Sequence, residues 1–225
     1  MIHFDKIWTI ISTKYSVFFE GVGITLKLAF FTVLFGSLLG LIVAISRRTR
    51  ILPLRWLMNA YVTFIRGTPL LVQVLLIVYG LPQLGVRMER LTMCVIALVI
   101  NSGAYMAELI RAGLQSVERG QVEAAQSLGM NSSQTMLYII LPQAIKVTLP
   151  AMGNEFVAII KESSILYAVG VYELTYQAYK LASVNYYYIE TLIAAAIIYF
   201  VLTYVATWLL TLLERRMRRG ENKYV

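Results

Sequence analysis

Charge is missing from long parts of this sequence. Residues 28–46, 67–86, 91–107 and 191–213 contain no Asp, Glu, Lys or Arg. A soluble core of this size is interrupted by charged faces more often, and the chain is 59% hydrophobic, where soluble domains sit near about half. The runs do not alternate polar with apolar residues, which excludes a β-barrel. Inside lipid every backbone amide needs an internal partner, so helices of about 20 residues remain. Cysteine is nearly absent. Cys94 stands alone, which excludes an internal disulfide. The single histidine, His3, has no His or Cys companions, which excludes a His/Cys metal centre. No G-x-x-x-x-G-K-[ST] loop occurs, so the chain does not bind ATP in the usual way. Met1–Gly23 lacks the basic start and small-residue cleavage site of a signal peptide, and Met1 is expected to stay in place.

The fold class this predicts is an all-α membrane protein: a five-span transmembrane bundle, one membrane domain over 1–225, with a polar connection at 114–147. The spans read as 22–46, 57–84, 91–113, 148–170 and 190–213. The fourth is weakest, because it contains Glu155, Lys161 and Glu162. The net charge of +8 reads as topology rather than nucleic-acid binding. Arg47, Arg48, Arg50 and Arg55 follow span one. Arg111, Arg119 and Lys146 flank the long connection. Arg215, Arg216, Arg218, Arg219 and Lys223 follow span five. The opposite side has Lys6, Lys14, Arg87, Arg90 and Lys180. The positive-inside rule therefore predicts an N-terminus outside and a C-terminus in the cytoplasm, and five spans agree with that parity.

The connection itself is too patterned for a linker. A helical stretch from Gln115 carries Glu123-Ala124-Ala125 and meets Gly129, the favoured residue where a helix end needs a positive φ. Asn131, Ser132 and Ser133 can cap a second helix. Met136, Leu137, Ile140 and Leu141 share one face of it, and Pro142 is expected to end it. Such a helix–turn–helix either docks into a groove of another protein or packs on its own membrane domain.

These residues resemble a known family. Glu123-Ala124-Ala125, three residues, Gly129, nine residues, Ile139, one residue and Leu141-Pro142 match the EAA loop of ABC importer permeases at every position. Phe64-Ile65-Arg66-Gly67-Thr68-Pro69-Leu70-Leu71-Val72-Gln73 looks like the second-span signature of the polar amino-acid (histidine/glutamine/cystine permease-like) branch. Asn101-Ser102-Gly103-Ala104-Tyr105-Met106-Ala107-Glu108 resembles its third span. Leu149-Pro150-Ala151-Met152-Gly153-Asn154-Glu155-Phe156 with Lys161-Glu162-Ser163-Ser164 resembles its fourth. Tyr79-Gly80-Leu81-Pro82-Gln83 is similar to members that carry cystine. The resemblance covers about residues 20–215. It implies a bacterial inner-membrane permease that binds no cofactor itself. ATP and magnesium are expected on separate ABC ATPase subunits, which the EAA loop (Glu123, Ala124, Ala125, Gly129, Leu141, Pro142) engages on the cytoplasmic side. A second permease chain, identical or homologous, and an extracytoplasmic amino-acid-binding protein are the other expected partners.

Polar residues inside spans are costly against lipid and mark pathways or partners. Asn154, Glu155, Ala158, Lys161 and Glu162 fall within about a third of the helix circumference. Asn101, Tyr105 and Glu108 share a face of span three. The two faces can form a slot in which Glu155 or Glu108 receives a substrate ammonium and Lys161, Ser163, Ser164 or backbone N–H groups receive its carboxylate. Alternatively, Lys161 and the glutamates pair with each other, or Lys161 and Glu162 sit near the outer surface. Gly67 and Pro69 break span two, as a hinge or as a static kink. Two other classes stay open from the residues alone: an ion-coupled secondary amino-acid transporter using Glu108 and Glu155, and a membrane enzyme, for which no catalytic arrangement is visible.

Overall fold

The computed structural model describes residues 4–218. Its helices are α1 (Phe4–Thr13), α2 (Tyr15–Ser46), α3 (Leu52–Arg66), α4 (Leu70–Gln83), α5 (Arg90–Gln115), α6 (Arg119–Ser127), α7 (Ser132–Gln134), α8 (Leu141–Glu162), α9 (Leu174–Asn185) and α10 (Tyr188–Arg218). A π-helical segment, Thr135–Ile140, joins α7 to α8, and a 3-10 segment, Ser163–Val169, extends α8. No strand occurs among the described residues.

The pair α2 and α5 is the spine, and glycine lets it form. A Cβ on Gly36 would lie 2.9 Å from the Ser102 Oγ, and one on Gly40 would lie 2.5 Å from the Met106 Cβ and 2.9 Å from the Ala107 backbone nitrogen. Without lipid-side hydrophobic drive, such close backbone approach supplies the packing energy between spans. Gly40→Leu is therefore expected to separate α2 from α5, at a cost of about 1–3 kcal/mol or more from overpacking against a backbone that cannot yield. A thermal-unfolding midpoint in detergent checks this. Gly23→Leu, where a Cβ meets nothing within 4 Å, should leave the midpoint close to wild type.

Among the described residues four apolar clusters fix the rest of the bundle: Val43, Val62, Ile65 and Ala104 seat α3 on α2 and α5, Ala29, Ile159 and Ile160 seat α8 on α2, and two others join the remaining helices. Leu28, Val74, Val78, Cys94, Leu98 and Leu166 bury the meeting of α2, α4, α5 and the 3-10 segment. Ile7, Ile10, Phe18, Leu174, Ala178 and Ala194 join α1, α9 and α10 to the start of α2. The short helices α1 and α9 were not foreseen from sequence, because neither is long or apolar enough to span. Glu173 caps α9. Its carboxylate is fully buried and accepts from the Thr175 and Tyr176 backbone N–H at 2.8 and 2.7 Å and from the Tyr199 hydroxyl at 2.7 Å. Burial pushes this carboxyl above its ordinary range, while those donors pull it back down.

Several expected boundaries need correction. Spans 22–46, 91–113 and 190–213 correspond to α2, α5 and α10, each longer than expected because helix continues beyond the charge-free runs. The second span, 57–84, is not one helix. It breaks at Gly67-Thr68-Pro69 into α3 and α4, which are bent by 108°. Pro69 is the N-cap of α4 with extended dihedrals, φ −65° and ψ 136°. Its ring bars the residue before it from the helical region. With 14 residues, α4 is about 21 Å long, short of the ~30 Å hydrocarbon core. Among the described residues four helical stretches are thus long and apolar enough to span, or five if the bent pair α3–α4 counts as one broken span. The helix that carries the fourth span, expected at 148–170, begins earlier, since helix of one kind or another is continuous from Ser132 to Val169. Pro142 does not end the second helix of the 114–147 connection. It lies in the first turn of α8, where a missing N–H is tolerated, and the wider π turn before it absorbs the ring.

Candidate transport and coupling sites

The break between α3 and α4 leaves backbone carbonyls without helical partners, and Gln73 takes them. Its Nε2 donates to the Ile65 carbonyl at 2.8 Å, to the Thr68 carbonyl at 3.1 Å and to the Thr68 Oγ1 at 2.8 Å. Its Oε1 accepts from the Asn101 Nδ2 at 2.9 Å. Gln73 and Asn101 are both buried. The pair pins the break to α5, so the Asn101 amide is already engaged with α4 and does not face α8. Gln73 was visible in the sequence as the lone polar group in a run of Leu and Val, but its partner was not.

About two turns further along α5, three guanidiniums converge on Glu108. Arg47, the C-cap of α2, donates to Oε1, and its Nε also reaches the Asn59 Oδ1 at 2.6 Å. Arg111 donates to Oε2 through Nη2 at 2.7 Å and Nε at 3.1 Å. Arg66, the last residue of α3, lies at 3.6 Å from Oε2, with its guanidinium 5.3 Å from the centre of the Tyr105 ring. The Glu108 side chain is 16% exposed, those of Arg66 and Arg111 44% and 47%. Glu108 therefore ties together the ends of α2 and α3 and the lower part of α5. In the sequence Arg47 and Arg111 read as topology markers and Arg66 as part of the second-span signature, because a spacing argument along one helix does not see partners 42 and 61 positions away.

On α8 the carboxylate of Glu155 is half-buried and accepts from the Ser102 Oγ of α5 at 3.5 Å. Ser102, not Asn101 or Glu108, is the α5 group that meets it. Adjacent residues on a helix are turned by about 100°, so the one-residue difference decides which face is offered. Lys161 is exposed, and among the described residues no carboxylate lies in salt-bridge range of it. The Glu155–Lys161 pairing left open by the sequence is therefore not formed. Asn154 is exposed. Ser163 is buried and donates to the Ile160 carbonyl at 2.9 Å, while Ser164 is half-buried.

The Glu123 segment forms a compact turn. The Met130 N–H reaches the Ala125 carbonyl at 3.1 Å and the Gly129 N–H reaches the Gln126 carbonyl at 3.0 Å. With Gly129 at φ +85°, this is a Schellman C-cap for α6. Asn131 then caps α7 in a capping box with Gln134, both bonds at 2.9 Å. The Gln143 Nε2 ties back to the Gln121 Oε1 at 2.6 Å. Ala125 is buried in the pair, whereas Glu123, Ala124, Leu141 and Pro142 are exposed. Leu128 is 84% exposed and Tyr138 65%.

A bundle of apolar helices with one sharply bent pair, polar clusters between its helices and an exposed helix–turn–helix is the architecture of a membrane transport subunit. The chain belongs to the family described as binding-protein-dependent transport system inner membrane component, which it matches over residues 36–219. It is similar to the probable glutamine ABC transporter permease protein GlnM of Bacillus subtilis (strain 168), 42% identical over 94% of this chain and 98% of that one. It is also similar to the L-cystine transport system permease protein TcyB of the same organism, 38% identical over 88% of this chain and 86% of that one. A solved structure described as an amino acid ABC transporter with histidines matches with a TM-score of 0.90 and 47% identity, covering 96% of this chain and 99% of that one. The chain is thus an amino-acid ABC importer permease: a multi-pass inner-membrane transport component with no catalytic activity of its own, in a family whose systems include ATPase partners and a substrate-binding protein. This membership sets aside the ion-coupled transporter and the membrane enzyme.

Proposed function

We propose that this permease imports a polar amino acid, with cystine the first substrate to test, as one of two permease chains driven by ATPase subunits that hold ATP and magnesium. The carrying observation is Glu155 on α8. It is a half-buried carboxylate bonded to Ser102, on a span whose most apolar stretch has only 11% of its residues buried within the chain, against 56% for α5. Exposed Asn154, Lys161 and Glu162 on the same helix are costly against lipid. A second permease chain, related by a closed symmetry axis, covers that face and leaves a polar passage between the copies. Tyr105, Glu108 and Arg66 extend the passage toward the cytoplasm. Gly67 and Pro69 form the fixed corner that shapes it, held by Gln73. Cystine is favoured by the Tyr79–Gln83 stretch. The test is ATP-dependent uptake of a panel of labelled amino acids by the complete assembly in proteoliposomes. Uptake of none of them sinks the reading, and uptake of polar amino acids other than cystine corrects the substrate.

Glu155→Gln is expected to weaken uptake by a charge-assisted hydrogen bond, about 1.5–3 kcal/mol, with assembly and basal ATPase activity intact because the amide keeps the shape. If assembly collapses instead, Glu155 is structural.

The orientation we propose has the N-terminus outside and the Glu123–Pro142 pair in the cytoplasm, docked to the ATPase. Cys94 is buried, so introduced cysteines report cleanly. A membrane-impermeant thiol reagent applied to intact cells should label Thr9→Cys and spare Ser127→Cys. The reverse pattern overturns the topology. Asn222, a natural C-terminal reporter, lies outside the described residues.

A further inference from the structure

Between Gly21 and Met88 the chain has no Asp or Glu at all, while its basic residues from Ser46 to Arg66 are Arg47, Arg48, Arg50, Arg55 and Arg66, every one an arginine. Glu108 engages Arg47 and Arg66, together with Arg111 from its own helix. Arg48, Arg50 and Arg55 are left over. All three are exposed, and among the described residues no carboxylate lies in salt-bridge range of them. They crowd one tight corner. Arg48 and Arg50 sit in the connection that follows α2, and Arg55 sits in the first turns of α3.

The corner lies at a lipid boundary. It follows directly on the charge-free run of α2 that ends at Ser46. The chain turns by 108° between α3 and α4, and Arg47, just before the corner, and Arg66, at the far end of α3, reach the same Glu108 carboxylate, so both ends of α3 stay near one level of the bundle. Only Val62 and Ile65 of α3 are buried. Leu52, Leu57 and Phe64 are exposed, and Trp56 is 73% exposed. An amphipathic helix of this kind, with arginine and tryptophan on its free surface, rests in the interfacial plane with its apolar side chains among lipid tails.

We propose that the corner between α2 and α3 is a binding site for the headgroup of an anionic phospholipid, held by Arg48, Arg50 and Arg55 with Trp56 and Leu52 against the acyl chains. Guanidinium groups take phosphate oxygens two at a time, which lysines do not do. Basic clusters at the cytoplasmic end of spans meet the phosphate layer, where each arginine adds to lipid attraction. A soluble anion lacks the tails that Trp56 and Leu52 accommodate. A protein partner would bring acidic side chains to the arginines and cover the tryptophan.

The test uses the full chain in lipid nanodiscs with Trp8→Phe and Trp208→Phe, leaving Trp56 as its only tryptophan. Brominated phosphatidylglycerol and brominated phosphatidylcholine are titrated separately as quenchers at 0.15 M and at high salt. Trp56 should be quenched by the anionic lipid at a mole fraction about tenfold or more below that needed for the neutral one. High salt should narrow the gap. Arg48→Gln, Arg50→Gln and Arg55→Gln together should erase it while both lipids still quench. Equal quenching by the two lipids in the chain with its arginines intact overturns the proposal. So does absence of quenching, which means that protein covers Trp56. Both leaflets of the disc have the same composition, so the result does not depend on the orientation proposed above.

Discussion

Purified Glu108→Gln permease is expected to unfold well below the wild-type temperature. The substitution keeps the shape of the side chain and removes the single negative charge on which Arg47, Arg66 and Arg111 converge. Three guanidiniums from three helices are then held together with no carboxylate between them. Breaking a buried ion pair by removing one partner costs about 3–5 kcal/mol. Arg66 and Arg111 are about half exposed, and water screens their share, so about 2–3 kcal/mol is the appropriate scale. For a chain of this size that is a fall of about 5 °C or more in the unfolding midpoint. A compensating variant separates electrostatics from packing. Adding Arg47→Gln to Glu108→Gln removes one of the unpaired charges and should recover part of the loss. A Glu108→Gln midpoint equal to wild type would falsify the view that this carboxylate holds the ends of α2, α3 and α5 together.

The second large effect is expected at Gly129, and on uptake rather than stability. The residue sits at φ +85°, and a Cβ added there meets nothing within 4 Å. Any penalty is therefore backbone strain, about 1–2 kcal/mol for an L-residue in the left-handed region, and worse for a β-branched one. Gly129→Val should open the Schellman turn and re-aim α6 relative to α7 and α8. The turn lies outside the α2–α5 bundle, so membrane insertion and the thermal midpoint of the bundle should stay near wild type. ATP-driven uptake by the assembled importer should fall by an order of magnitude or more if this turn presents the docking surface to the ATPase. Gly129→Asn is the control, because Asn visits the left-handed region readily, and it should keep most of the uptake. Wild-type uptake by the Val variant would remove the coupling role from the Glu123–Pro142 pair.

Much of this was legible before any coordinates. The turn at Gly129 follows from local chemistry: glycine after a helical stretch, then Asn131 three residues before Gln134, fix a C-cap and a capping box within a dozen residues. The long charge-free runs give α2, α5 and α10 because lipid leaves the backbone no other choice. The break at Pro69 was also readable, but not its size. A proline before an apolar run is compatible with a mild kink or a right-angled corner, and bonds from Gln73 to Ile65, Thr68 and Asn101 decide between them. Pro142 misled in the opposite direction, since a π turn let the helix run on.

The polar residues divide along the same line. The sequence by itself determined that this chain crosses a membrane as helices and where the caps at Gly129 and Asn131 fall, because each of these depends on interactions within a few residues or on the solvent alone. Only the tertiary structure decided the partners of its polar groups. Ser102 rather than Asn101 meets Glu155, Asn101 closes the α3–α4 corner through Gln73, and Glu108 collects arginines from α2 and α3 as well as its own helix. These pairings join positions 28 to 61 residues apart, across helices whose relative rotation is set by glycine contacts such as Gly40 on Met106. A turn of one residue, about 100°, changes which side chain meets which, and no pattern along a single helix carries that angle.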